Sequence, residues 1–511
     1  MREDAVKYPS PPGTPWVPGG EGYFSGKRIA VIGLAATGLA TARILSERGA
    51  IVTVYDGKPE DKLDPARVAE AEGIGGVHLA LGVAEPDWGG TDLVVPSPGV
   101  PKWAASIAGA FARGIPVWSE IEVAYRLAVA PILAITGTNG KTTTTALVGA
   151  ICREAGLNTW VAGNIAEDEG KRTPLIVAAV ECPADGVIVA EISSFQLEHV
   201  HTFRPKVAAW LNLSVDHMDR YADMNEYAEA KAKIFAAQTE DDFKIINSDD
   251  DMVRESSRNI GKGIGKHFTL KSIAQIYSEQ SGYLHGNFAY IEGKQHSFNA
   301  SPKGDVKSTA SKFICIGGEP VIDFLSLQIT GNHNVRNAMA ALLMVAAIGI
   351  KKEFAVKAIE AFRGVAHRME FVADVAGVRY INNSMCTNPA AVEASVSAIE
   401  TPLVAIAGGV HKGGDLTPMY DSLKRNARKV VLIGAAKQEI ADGLRTAGMD
   451  AGDVSSADSL PDAVTMAASL ADAGDTVMLV PGCASFDMFS GFEERGAVFR
   501  DAVRGLESNT D

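Results

Sequence analysis

Residues 131–156, PILAITGTNGKTTTTALVGAICREAG, constrain the fold more than any other stretch of this chain. An apolar, β-branched run reaches a glycine loop, and a helix-forming run follows without a spacer. That order is the strand–loop–helix of a phosphate-binding α/β unit. In Gly137-Thr138-Asn139-Gly140-Lys141-Thr142 the glycines let backbone N–H groups converge on phosphate oxygens. Lys141 can reach terminal phosphates, and the Thr142 hydroxyl can ligate Mg²⁺. The strict pattern G-x-x-x-x-G-K-[ST] is not met, because Ile135 stands where its first glycine belongs. An incidental lysine in a glycine-rich turn is the plainer alternative, and the order of strand, loop and helix argues against it.

Two further blocks repeat the α/β pattern. KRIAVIG (27–33), the helix-like LAATGLATARILSERG and AIVTVYD, ending at Asp56, form a βαβ unit. TDLVVPSPGV (91–100) adds a strand running into a Pro/Gly turn. After about residue 329, ITGNHNVRNAMAALLMVAAIGI opens a third block, and the strands PLVAIAGG, KVVLIG and DTVMLVPG alternate with helices. The expected architecture is α/β in three domains: an extension at 1–26, a Rossmann-like domain at 27–130, a central P-loop-type domain at 131–328 and a Rossmann-like domain at 329–511. Residues 255–326 are polar and suggest insertion loops with a few surface strands.

A chain of 511 residues suits about three domains at roughly 100–200 residues each. Its 48 lysines and arginines against 62 aspartates and glutamates leave a net charge of −14, unsuited to a general nucleic-acid binder. Small anions must therefore be bound by local devices. Five scattered cysteines (Cys152, Cys182, Cys315, Cys386 and Cys483) form no C-x-x-C pair, which points to a reduced cytoplasmic setting without disulfides or zinc. The N-terminus lacks the apolar core of a signal peptide. The most apolar helical run, Ala338–Ile350, is too short to span a membrane and ends at Lys351-Lys352-Glu353.

Other motifs carry chemistry with less specificity. Gly33-Leu34-Ala35-Ala36-Thr37-Gly38 with Asp56 imitates the dinucleotide fingerprint, but Ala35 replaces its second glycine and would crowd a pyrophosphate. NAD is thus the lesser reading, and some nucleotide phosphate the better one. Glu191, His217 and Lys231 could assemble a hard-metal site beside the phosphate loop. Lys231 shares its helical stripe with Tyr227 and Phe235, so a semi-buried amine is expected there. Asn334 and Asn337, three residues apart, share a helix face suited to a purine or to loop backbone, or simply to helix capping.

Taken in order, GTNGKT (137–142), AGNIA (162–166), EISSFQLE (191–198), DHMDRY (216–221), AKAKIF (230–235), GNHNVRN (331–337), HRME (367–370), CASFDMF (483–489) and FEERG (492–496) resemble the Mur ligase family, ATP-dependent amide-bond enzymes of peptidoglycan precursor synthesis. EISSFQLE and CASFDMF resemble its glutamate-adding branch. The resemblance implies a cytoplasmic, monomeric ligase that adds glutamate, D-glutamate in preference, to UDP-N-acetylmuramoyl-L-alanine with ATP and two Mg²⁺ ions. It implies that Ala36, Thr37, Asp56 and Ser97 surround the UDP moiety and that Asn164 contacts the sugar-peptide. Gly137, Thr138, Asn139, Gly140, Lys141 and Thr142 would bind ATP, with Asn334 and Asn337 on its adenine side. Thr142, Glu191, His217 and a carbamylated Lys231 would be metal ligands, with Lys141, Glu191, His217 and Lys231 catalytic. Ser485 and Phe492 would meet the incoming amino acid.

One segment departs from the family pattern. Asn382-Asn383-Ser384-Met385-Cys386-Thr387-Asn388 stands where glutamate-adding members read N-D-S-K-A-T-N. The lysine that the resemblance assigns to the amino acid's carboxylate is Met385, and the nearby aspartate is Asn383. Arg368 and Lys412 are candidate replacement cations. The departure keeps two alternatives open: a different acceptor such as L-glutamate, or a non-catalytic Mur-like binding protein. A folylpolyglutamate-synthetase-like ligase would share the GTNGK loop but is not expected to carry CASFDMF.

Overall fold

The computed structural model describes residues 22–507 except 84, 166–171, 219, 273–287, 295–310, 330, 398, 400, 412 and 414. Most of the expected extension, residues 1–21, lies outside the described residues, as does Lys412. The chain divides into two compact units that meet in sequence at Phe362 and Arg363.

The first unit holds two sheets. Strands β1 (Arg28–Ile32), β2 (Ile51–Asp56), β3 (Val77–Leu81) and β4 (Leu93–Pro96) form a parallel sheet in the order β3-β2-β1-β4. Next come β5 (Ile132–Thr136), β6 (Thr159–Gly163), β7 (Val187–Glu191), β8 (Val207–Trp210), β9 (Phe243–Asn247), β10 (Ile264–Ser272), β11 (Phe288–Lys294), β12 (Ser311–Ile316) and β13 (Glu319–Asp323). They form one sheet in the order β13-β12-β11-β10-β9-β8-β5-β7-β6, antiparallel only at β11–β12 and β12–β13. β5 and β7 are buried along their whole length, which explains why ILAIT and VIVAE read as continuous apolar runs. Strand β5 lies between β7 and β8, flanked on both sides by parallel strands, and the carboxyl ends of such strands are where α/β folds bind ligands.

Two expectations change here. The polar stretch 255–326 is not only surface: β10–β13 extend the central sheet, and Phe268, Ala289 and Ile314 are fully buried. Their apolar runs are short and set among polar residues, as Phe313–Ile316 follow Ser311-Lys312, which hides the buried face from a composition count. The helix Asn332–Ala347, assigned by sequence to the third domain, belongs to the first unit and packs on the helix Lys141–Glu154. Its apolar face from Ala338 to Val345 is buried there, so the boundary falls some thirty residues after 329, at 362.

The second unit holds β14 (Glu370–Val375), β15 (Val378–Asn382), β16 (Leu403–Gly408), β17 (Ala427–Ile433), β18 (Val454–Ser456) and β19 (Thr476–Gly482). Their order is β14-β15-β19-β16-β17-β18, with only the β14–β15 hairpin antiparallel. Two apolar clusters cover its two faces, one around Met419, Leu423 and Met478, the other around Val404, Leu479 and Phe499.

Candidate active site

β5 ends at Thr136 and the helix Lys141–Glu154 starts after four intervening residues, with Gly140 as its N-cap. Gly140 has φ +81°, and a Cβ there would lie 2.4 Å from Asn337 Oδ1. Backbone conformation and close approach both demand glycine. The asparagine pair is thus brought to the loop: Asn337 is buried and donates to Asn334 Oδ1 at 3.1 Å. Lys141 Nζ folds back to the carbonyls of Gly137 (3.0 Å) and Thr138 (2.8 Å). Thr142 is buried in the first helical turn.

A residue missed by the sequence reading, Asn212, staples this loop. Its Oδ1 accepts the N–H groups of Thr138 (3.1 Å) and Asn139 (2.8 Å), and its Nδ2 donates to Asn139 O (3.0 Å). The available signal was its place just beyond β8, the strand neighbouring β5. Asn212 thus engages two of the loop's N–H groups, and the opening turn of the helix follows directly after them.

The expected metal-side residues converge on this loop. Lys231 is 1% exposed, donates to Gly137 O at 2.8 Å and lies 4.7 Å from the centroid of the Tyr227 ring. Burial, and then the neighbouring Lys141 charge, hold its amine well below the ordinary lysine range, while Asp216 and Glu191 pull it upward. Glu191 is 2% exposed at the end of β7. Its Oε1 accepts from Asn164 Nδ2 at 3.1 Å, and its Oε2 has no hydrogen-bond partner among the described residues. A buried carboxylate oxygen left unpaired is unfavourable by about 1–3 kcal/mol or more, which a cation would relieve. His217 adopts φ +56° beside Asp216, its ring 4.7 Å from Phe195 and 6.0 Å from Tyr227. Tyr227 therefore touches both Lys231 and His217, and its hydroxyl lies 3.4 Å from Thr138 Oγ1.

Among the described residues no three His, Cys, Asp or Glu side chains cluster as a ready metal site. Mg²⁺ does not require one, since it commonly takes one or two protein oxygens and completes its octahedron with water and phosphate. Thr142 and the unpaired Glu191 oxygen fit that demand.

The four residues expected around UDP gather at the N-terminus of the helix Ala36–Glu47. Asp56 Oδ2 accepts the Leu34 N–H at 2.9 Å, and its Oδ1 accepts the Lys58 N–H at 2.9 Å. Ser97 Oγ donates to Gly33 O at 3.1 Å. Ala36 is exposed and Thr37 half-buried on the opening turn. Asn164, expected at the sugar-peptide, contacts Glu191 through its side chain.

In the second unit, Phe492 meets the departing segment directly, and a residue the sequence reading overlooked ties that segment to Cys483, two residues before Ser485. Arg495 is fully buried and donates to Ser384 Oγ (3.0 Å), Ser384 O (2.9 Å) and Cys483 O (3.1 Å). Burial pushes its guanidinium down to about 10. Ser384 Oγ donates to Phe492 O at 2.7 Å, while Ser485 is 2% exposed and its carbonyl accepts the N–H groups of Met488 and Phe489. Asn383 Oδ1 accepts the Met369 N–H at 3.1 Å, and its Nδ2 donates to Ser395 Oγ at 2.8 Å. Met385 is half-buried, its N–H donating to His367 O at 2.9 Å. Arg368 stands in the same His367–Met369 turn, where both flanking residues have positive φ.

Three family models match this chain: the Mur ligase MurD-like N-terminal domain at residues 27–119, the Mur ligase middle domain at 135–345, and the Mur ligase glutamate ligase domain at 367–483. The middle-domain match ends within the helix Asn332–Ala347, in keeping with that helix's place in the first unit. The UDP-N-acetylmuramoylalanine–D-glutamate ligase of Pelotomaculum thermopropionicum is 39% identical over 95% of this chain and 99% of its own length. Its counterpart in Syntrophotalea carbinolica is 38% identical over 95% and 99%. Among solved structures, the UDP-N-acetylmuramate–alanine ligase of Thermotoga maritima superposes with a TM-score of 0.53 at 18% identity, covering 94% of this chain and 99% of that one. This likeness reports the fold. Matching models in all three segments, together with relatives aligned from end to end, show that the chain belongs to the Mur ligase family.

Proposed function

We propose that this chain is an ATP-dependent ligase that joins D-glutamate to UDP-N-acetylmuramoyl-L-alanine in peptidoglycan precursor synthesis. The observation that carries the reading is the convergence of Lys141, Glu191 and Lys231 on the Gly137–Thr142 loop, in a chain 39% identical to such a ligase along 95% of its length.

The alanyl carboxylate oxygen attacks the γ-phosphorus of ATP; the new P–O bond gives an acyl phosphate as the bond to ADP breaks. The glutamate amine then attacks the acyl carbon, a C–N bond forms, inorganic phosphate leaves with the C–O electron pair, and the amine proton passes to solvent. Three anionic groups must meet, so the protein's task is mainly positioning and charge stabilisation. Lys141 holds the terminal phosphates, and the helix opening at Lys141 adds its dipole. Asn337 keeps Gly140 in place, and Asn212 keeps Thr138 and Asn139 in place. Thr142, Glu191, His217 and Lys231 would hold the two Mg²⁺ ions, which supply Lewis-acid stabilisation of phosphoryl charge when bound. The buried, weakly basic Lys231 amine suits carbamylation, which would turn it into an oxygen ligand. Ala36, Thr37, Asp56 and Ser97 would hold the UDP moiety, Asn164 the sugar-peptide, Asn334 and Asn337 the adenine side, and Ser485 and Phe492 the glutamate.

Buried, unbridged cysteines and the lack of any long apolar helix among the described residues support a cytoplasmic setting. The monomeric state expected of the family is tested by light scattering. The deciding experiment is ADP release with UDP-N-acetylmuramoyl-L-alanine and either D-glutamate or L-glutamate. The reading requires release dependent on both the nucleotide-sugar and D-glutamate. Release with L-glutamate alone would assign the Asn383/Met385 segment to a changed acceptor, and no release with either would favour a binding protein.

A further inference from the structure

In the first unit, one buried guanidinium joins the two sheets. Arg220 is 8% exposed and its partner Glu198 5%. Arg220 Nε donates to Glu198 Oε1 at 2.8 Å and Nη2 to Oε2 at 2.5 Å, a forked pair. The other N–H groups reach the carbonyls of Val100 (2.9 Å) and Pro98 (3.4 Å), in the turn that begins at Ser97 after β4. The guanidinium lies 4.1 Å from the centroid of the Phe195 ring, and that same ring is 4.7 Å from His217. Along the backbone, the N–H groups of Arg220 and Tyr221 donate to His217 O, at 2.9 and 3.1 Å. They hold His217 at φ +56°, a conformation a non-glycine residue rarely takes without such support. Tyr221 OH donates to Glu198 Oε1 at 3.0 Å, and Lys102 pairs with Glu226 to tie the same turn a second time.

A buried ion pair is weak grounds for stability, because desolvation offsets most of its attraction. Its placement is more telling: a single side chain grips the Ser97–Val100 turn with one edge and lays its face on Phe195, whose ring also meets His217.

We infer that Arg220 is a positioning residue that fixes His217 relative to the Ser97–Val100 turn and thereby couples nucleotide-sugar binding to metal–nucleotide binding. The inference rests on the proposed reading that Ser97 meets the UDP moiety and His217 the metal side. Coupling of this kind is reciprocal, and typical values are about 5–150-fold in affinity.

The test measures MgADP affinity by calorimetry with and without UDP-N-acetylmuramoyl-L-alanine, in the parent, Arg220→Lys, Arg220→Met and His217→Ala chains. The parent should bind MgADP at least about 5-fold tighter when the nucleotide-sugar is present. Arg220→Met should reduce that ratio to below about 2-fold, with each ligand's separate affinity within about 3-fold of the parent. Arg220→Lys, which keeps the charge but not the fork, should fall between them. In turnover, kcat should fall while KM for D-glutamate stays put. The inference is overturned by a parent ratio near one, by an unchanged ratio in Arg220→Met, or by equal loss of both separate affinities. Should Arg220→Met fail to fold, Glu198→Gln, which removes the counter-charge at constant volume, must reduce the ratio instead. His217→Ala separates the two claims: parent-like MgADP binding in that variant refutes the metal-side reading, whereas weakened binding beside an unaffected Arg220→Met refutes only the role of Arg220.

Discussion

Glu120 offers a quantitative test of how this interior is built. It opens the helix Glu120–Leu127, is 2% exposed, accepts the Ile176 N–H at 2.6 Å through Oε1 and leaves Oε2 without a hydrogen-bond partner among the described residues. Burial raises its carboxyl from the ordinary 4.5 to about 7, against the opposing effects of Ile176 and Gln196. A folded-state value above the unfolded one means that the stabilising contribution is complete below pH 4.5 and is lost as pH rises through about 7. Each pH unit corresponds to about 1.4 kcal/mol, so ionising the folded protein forfeits roughly 3 kcal/mol across that window. Glu120→Gln keeps an acceptor for Ile176 and cannot ionise. Any fixed offset between amide and acid cancels when the comparison is made across pH. The difference in unfolding free energy between variant and parent should therefore move by roughly 3 kcal/mol in favour of the variant between pH 4.5 and pH 8. No tryptophan follows residue 210, and Trp88, Trp103, Trp118, Trp160 and Trp210 lie within the first unit, so tryptophan fluorescence during urea unfolding reports on the unit that contains Glu120. A difference constant to within about 0.5 kcal/mol over that range would refute the argument that burial, rather than the local donors, governs this carboxyl.

Four other expectations concern the candidate site. Gly140→Ala forces a side chain at φ +81° into Asn337 and should weaken ATP binding at least about 10-fold by calorimetry, partly relieved by adding Asn337→Ala. Lys141→Ala should abolish substrate-dependent ADP formation with circular dichroism unchanged; near-normal turnover would sink the ATP assignment. Lys231→Ala should lose turnover by at least about 100-fold and regain part of it with bicarbonate or short carboxylates, and an unaffected rate would remove the carbamate from the mechanism. Asn383→Asp presents a carboxylate to Ser395 Oγ, whose single proton already goes to Ala391 O at 2.7 Å. That change should be destabilising by about 2 kcal/mol in thermal unfolding at pH 8, and Met385→Lys in the same chain should restore at least half if it supplies the carboxylate with an ion-pair partner.

The phosphate loop was legible because its demands are local. Strand, glycine turn and helix must follow in sequence, and Gly140 announces its left-handed backbone by its identity. Lys231 was legible for the same kind of reason, since helical spacing from Tyr227 and Phe235 alone placed an amine on an apolar stripe. Asn212 and Arg495 were not, because each acts across the fold: Asn212 reaches the loop from 73 residues away, and Arg495 reaches Ser384 from 111. Nothing around either residue repeats or alternates in a way that marks it. The helix Asn332–Ala347 shows the limit most clearly. Its apolar face was evident, but which partner would bury it was not, and the partner proved to be the phosphate-loop helix.

What the sequence alone determined was therefore a set of α/β blocks, a phosphate loop, and the residue types available for cation and anion binding. Backbone propensity, glycine conformations and apolar periodicity operate over a few residues and can be read from any one segment. Tertiary structure decided which side chains share a neighbourhood. It brought Asn337 to Gly140, left one oxygen of Glu191 without a partner among the described residues, and placed Arg220 between the Ser97–Val100 turn and the Phe195 ring. Those pairings depend on the order of strands across the sheets, and that order is settled by how apolar faces pack together rather than by the residues on either side of each group.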